Sequence, residues 1–191
     1  MVIIAFTFSV IPKIIEVSNK SLEFSKKEDA IFNMMSKAMD ISLKEYDEEN
    51  TKYDDILLTG NSNVLECNIS TNYRTGGFKG GRNCINHIME SDIGSDSNEP
   101  PFDDVDDYNG YNEKVKNGHT TYDIHVTAGY TDEWNSYNND NLNFIFTNRS
   151  NNTKTNIKRI EIKVSQKNHI ISSVKYYSAN IGHIKIGSVL W

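Results

Sequence analysis

The chain has 191 residues, enough for one domain with a core of its own. A formal net charge of −6 argues against a nucleic-acid binder, and a hydrophobic share of 37% with a mean hydropathy of −0.57 puts the chain on the polar side of globular proteins. The acidity is local: residues 83–113 hold nine acids and no Lys or Arg, which leaves 17 of the 26 acids against 20 bases elsewhere.

The chain opens on MVIIAFTFSVI, residues 1–11, a stretch with no charge and almost no polarity. A helix of that length reaches only about 16 Å, half of a bilayer, so it does not cross one alone. It also lacks the basic n-region and small-residue cleavage site of a secretory signal peptide. Pro12 follows, and from Ile14 to Tyr46 there is neither Gly nor Pro. Ile31, Met34, Met35, Ala38 and Ile41 recur at helical spacing, with Lys26, Lys27, Glu28 and Asp29 on a polar face. The reading is one long helix in two parts, apolar all round and then amphipathic, with Pro12 as the kink between them. The apolar part, residues 1–24, is a membrane or fibre-core segment. Residues 25–191, with the amphipathic half, form the head.

Beyond Asp47-Glu48-Glu49-Asn50, DDILLTG reads as an irregular connection and NVLECNI as a strand carrying Cys67. The only other cysteine is Cys84. Two cysteines at this separation fit no common zinc spacing; in an exported protein they pair as one disulfide, and in a cytosolic one they stay as two free thiols. Between them, NYRTGGFKGGRNC is Gly-rich and basic but matches neither a dinucleotide nor a P-loop spacing, and reads as a turning loop.

The acidic stretch PPFDDVDDYNGYNE follows. Asp103, Asp104, Asp106 and Asp107 are hard oxygen ligands of the sort calcium takes, although their spacing breaks the EF-hand series. The other reading is turn chemistry: aspartates accept backbone N–H bonds while Phe102, Tyr108 and Tyr111 pack the loop down. A solvated, partner-facing loop is the third.

The remainder alternates as antiparallel strands. In TTYDIHVTAGY, Tyr122, Ile124 and Val126 share a face; in NLNFIFT, Leu142, Phe144 and Phe146 do; in NIKRIEIKVS, Ile160, Ile162 and Val164 oppose Arg159, Glu161 and Lys163. QKN turns the chain, and HIISSVKYYSANIG returns as the last strand. The fold class is α+β, with one antiparallel sheet packed on the amphipathic helix. No catalytic constellation emerges: His87, His119, His125, His169 and His183 show no metal spacing, the acids sit together in one loop, and there is no nucleophile motif. The expectation is a protein that is not an enzyme.

An apolar N-terminal helix with an early proline, an amphipathic continuation and a β-rich head resembles the type IV pilin and pseudopilin family. FDDVDDYNGY, then YDIHVTAGY, KRIEIKVS and YYSANIG, resemble the minor pilins of the mannose-sensitive haemagglutinin and PilV-like (pilus-modification) types over nearly the whole chain. The family's basic leader and its Phe-Thr-Leu-Ile-Glu opening are absent. If Pro12 matches the kink proline, part of the family pattern lies upstream of Met1, and the roles of the leader and the early glutamate pass to no residue here. The resemblance implies a structural subunit of a pilus or a type II secretion fibre. Its head lies in the periplasm, its helix in the bacterial inner membrane and then among the helices of other pilins. The competing expectation is a membrane-anchored, calcium-dependent extracellular binding domain that is not a pilin.

Overall fold

A computed structural model describes residues 2–52, 55–60, 66–78, 81–94, 102–131 and 153–182. The expected strand over 141–147, Trp134 and His183 lie outside them. Helix α1 spans Val2–Ser42 with Pro12 inside it, and a single-turn helix α2 spans Glu48–Lys52. Tight bonds from Leu43 N to Asp40 O and from Lys44 N to Ile41 O close the end of α1. The chain then turns beneath the head, which buries Tyr46 and Asp47.

The head holds two antiparallel sheets. Strands β1 (Cys67–Asn68), β2 (Tyr73–Phe78) and β3 (Gly81–Asn83) form the smaller one. The larger is a meander of β4 (Asn112–Asn117), β5 (Thr120–Tyr130), β6 (Ile157–Gln166) and β7 (His169–Ala179), in that order. The α+β class holds, with one sheet more than expected: the Gly-rich segment read as a loop is the β2–β3 hairpin. The Cys67–Cys84 disulfide ties that hairpin's far end back to β1.

Two short turns set the register of the meander. Gly118, at φ +58°, is the first central residue between Asn117 and Thr120, where a type II′ turn places glycine. Lys167 (φ 49°) and Asn168 (φ 66°) both take the left-handed conformation between Gln166 and His169, as a type I′ turn demands.

Alternation along β5 and β6 builds the core. Ile124 and Val126 pair with Val164 and Ile162, Ile160 pairs with Ala128, and these residues point with Tyr122 to the same side. Ala30, Met34 and Ile41 of α1 cover them, with Ala38 packed alongside. Ile31 (44% exposed) and Met35 (45%) do not join this face. Consecutive helical residues stand about 100° apart, so Met34 and Met35 cannot both meet the sheet. The helix therefore carries two apolar faces, one on the sheet and one toward solvent.

Contact between head and helix begins where the Tyr122 hydroxyl donates to Lys26 O. From Val10 to Ser25 every residue of α1 is exposed. The smaller sheet is held to the larger by polar bonds. The Asn180 side chain donates to Leu57 O and accepts from Leu57 N, while Arg74 donates to Asn180 O and to Asn156 Oδ1.

Candidate functional site

Isoleucines 160 and 162 and Val164 alternate inward along β6, and the same period carries Lys158 inward one step earlier. Lys158 is fully buried. A buried ammonium requires partners, and four segments supply them. Asp106 of the acidic loop puts Oδ1 2.5 Å from Nζ, and Asp47 puts Oδ2 at 2.9 Å. Tyr46 O accepts a third bond at 2.9 Å, and Glu90 Oε1 stands 3.6 Å away. The rings of Tyr46 and Tyr130 flank the ammonium, with centroids at 4.4 and 5.7 Å.

The acidic loop thus meets a lysine 52 residues downstream. Its other aspartates act on their own backbone. Asp104 Oδ1 accepts from the N–H groups of Asp106 and Asp107, and Asp107 Oδ2 accepts from Asp103 N. These are the Asx-type bonds expected of turn aspartates. Phe102, Tyr108 and Tyr111 pack in a triangle with centroids 4.9 to 5.6 Å apart, and Tyr108 donates to Asp40 of α1. The loop is joined to the chain after α1 by the bond from Val105 N to Glu45 O.

Carboxyls outnumber cations here. Asp47, Glu48, Glu90, Asp104 and Asp106 are all buried around one lysine. Protons make up the difference. Burial, against the pull of Lys158, lifts Glu90 to about 7. Hydrogen-bond arithmetic agrees: the Tyr46 oxygen lies 2.6 Å from both Thr155 O and Glu90 Oε1. Its single hydrogen serves the carbonyl, so Glu90 brings the other. Burial and then the charge of Asp106 lift Asp104 to about 9, and its hydrogen bond with Glu48 adds to the rise. Burial also raises Asp106, which Lys158 opposes. For Lys158, burial lowers the pKa, and Asp106, Asp47 and Glu90 outweigh it, so the net shift is upward.

The folded chain therefore binds the Glu90 and Asp104 protons more tightly than the unfolded chain does. Stability from Glu90 is present below its ordinary 4.5 and is lost as pH rises to about 7. Asp104 extends the loss from 3.8 to about 9. Asp92 and Glu113, lowered by Lys154 and Lys37, act in the opposite sense at low pH, from an exposed and a half-exposed position where screened pairs contribute little. The melting temperature measured by circular dichroism is expected to fall between about pH 5 and about pH 8.5. A rise over that range would contradict these protonation states.

Asp47, Glu48 and Asp106 offer carboxylate oxygens within 4.8 Å of one another, the one such group among the described residues. Calcium needs six to eight oxygens, and the Lys158 ammonium already bonds two of these three carboxylates. Asp103, Asp104 and Asp107 are not in the group; Asp104 and Asp107 take up backbone N–H bonds, and Asp103 N donates to Asp107. The donor set does not fit calcium while Lys158 holds its place.

The disulfide lies apart from this cluster, in a small apolar core of Ile56, Leu58, Cys67 and Cys84. Sequence reading missed Lys158, Asp47 and Glu90. The signal for Lys158 was its phase with Ile160, Ile162 and Val164; Asp47 and Glu90 carried none. Compared with known proteins, the chain matches no family model, no curated protein and no solved structure.

Proposed function

We propose that this chain is a structural subunit that assembles through α1, in the manner of a minor pilin or pseudopilin. The observation that carries the reading is the length of helix left uncovered. Residues 10–25 make sixteen positions, about 24 Å of helix, all exposed. Val10, Ile11, Ile14, Ile15, Val17, Leu22 and Phe24 are each 42% exposed or more. An isolated helix of this length is marginal in water, and helices in proteins are held mainly by packing of an apolar face. Lys13, Glu16, Lys20 and Glu23 run down one side at alternating steps of three and four, with Glu16 and Lys20 paired at 2.7 Å. The remaining surface is apolar or serine apart from Asn19.

Toward the head, Phe32 (74%), Met39 (66%) and Leu43 (85%) continue the solvent-side apolar face, opposite the residues that meet the sheet. A helix with apolar surface on two sides suits a subunit packed between its own head and neighbouring helices. Among the described residues no helix is long and apolar enough to cross a membrane. The inner membrane before assembly and a fibre afterwards are the compartments this reading assigns, with the head in the periplasm, where the disulfide is stable.

A calcium-dependent binding domain on the same helix would draw on Asp47, Glu48 and Asp106, and the lysine among them disfavours it. Detergent dependence tests the assembly reading. The full chain should run as a monomer in nonionic detergent and as larger species without it. A monomer in both conditions would contradict it.

A further inference from the structure

A buried primary amine in hydrogen-bond contact with a buried carboxyl, beside a second carboxyl that carries a proton, is the reactant set for an amide. We propose that Lys158 and Asp106 condense in the folded protein into an intramolecular isopeptide bond, with Glu90 as the proton shuttle. This inference is independent of the assembly reading.

The geometry supplies the contact between the reacting groups and a donor to the oxygen that gains charge. Nζ lies 2.5 Å from Asp106 Oδ1, which holds the reacting groups together before any chemistry. Asp106 Oδ2 accepts the backbone N–H of Gly94 at 3.1 Å, so a donor already faces the oxygen that gains charge in a tetrahedral intermediate. Glu90 Oε1 is 3.6 Å from Nζ and is fixed by Tyr46. Asp47 Oδ2, at 2.9 Å, steers the amine from the other side. Lys158 and Asp106 are 0% exposed and Glu90 2%, which keeps bulk water from the site.

The step balances without an outside reagent. Lys158 begins as an ammonium and Asp106 as a carboxylate. One proton crosses the short hydrogen bond from Nζ to Oδ1, leaving a neutral amine and a carboxylic acid. Burial favours this transfer and the charges of Asp47 and Glu90 oppose it, so the neutral pair is the minor state from which the amine attacks. The amine lone pair attacks Asp106 Cγ, and Oδ2 takes the negative charge toward Gly94 N–H. Glu90, whose Oε1 lies 3.6 Å from Nζ, turns from Tyr46, gives its proton to the departing Oδ1 hydroxyl and recovers one from Nζ. The Cγ–Oδ1 bond breaks, the Nζ–Cγ bond remains, and one water leaves.

The test is the mass of the full-length folded protein, measured after denaturation and reduction of the disulfide. The expected mass is that of the sequence less one water, with a branched peptide joining Lys158 to Asp106 after proteolysis. Lys158→Arg keeps a cation but cannot form this amide, and should show no branched peptide. Glu90→Gln should slow the appearance of the branched peptide in freshly refolded protein. A folded chain of full sequence mass without the branched peptide would overturn the proposal, as would a link from Lys158 to Asp47. Equal rates with and without Glu90→Gln would overturn the role of Glu90.

Discussion

Lys158→Met is expected to destabilise the head by about 3–5 kcal/mol relative to the chain in which Lys158 and Asp106 are not joined, the usual cost of breaking a buried ion pair from one side. The side chains are similar in length, so the loss is electrostatic rather than a cavity. Methionine leaves Asp47 and Asp106 facing each other in a site closed to bulk solvent. The carboxyls can escape only by taking up protons or by opening the loop. Small domains hold about 5–15 kcal/mol in total, so this change approaches the limit of folding. Urea denaturation at neutral pH would measure it. The deficit should shrink at mildly acid pH, where protons replace the lysine charge. A variant with wild-type stability at both pH values would show that the acidic loop does not depend on Lys158. Replacing Asp47, Asp106 and Lys158 together by apolar residues should cost much less than Lys158→Met alone, because no orphan charge remains.

Charge placed on the exposed face of α1 should act on assembly alone. Ile14→Asp with Val17→Asp changes two positions that are 61% and 66% exposed and lie outside the head's core. The melting temperature of the head should stay within the range of ordinary surface changes, about 0.5 kcal/mol. Self-association, read by sedimentation velocity, should fall at least tenfold, since each aspartate would have to be buried unpaired against a neighbouring helix. Matching loss from Lys20→Ala on the polar side would argue against an apolar seam. No change from the double variant would place the contact elsewhere.

Much of the head was legible in the sequence because β5 and β6 alternate cleanly. Tyr122, Ile124, Val126, Ile160, Ile162 and Val164 sit where period two puts them. The aromatic packing of the acidic loop was legible for a similar reason: turn aspartates and flanking rings are local features. Asp47 and Glu90 were not, because long-range ion pairs leave no periodic trace. Asp47 is 111 residues from its lysine, and nothing in its neighbourhood distinguishes it from Glu48 or Glu49. Lys158 was legible in part, as a lysine in phase with an apolar stripe. The β2–β3 hairpin was misread since glycines weaken strand signals. The two-faced character of α1 was hidden by treating Ile31, Met34 and Met35 as one stripe, when the sheet takes only Met34.

The claim at the centre of this account is that residues 10–25 pack against neighbouring helices, which for the isolated protein are those of other copies of the chain. Amide hydrogen exchange of the full-length protein at low and high concentration addresses it directly. The account predicts slow exchange across residues 10–25 that deepens as concentration rises, with unchanged protection in β5 and β6. Rapid exchange of residues 10–25 at every concentration, with β5 and β6 still protected, would contradict it.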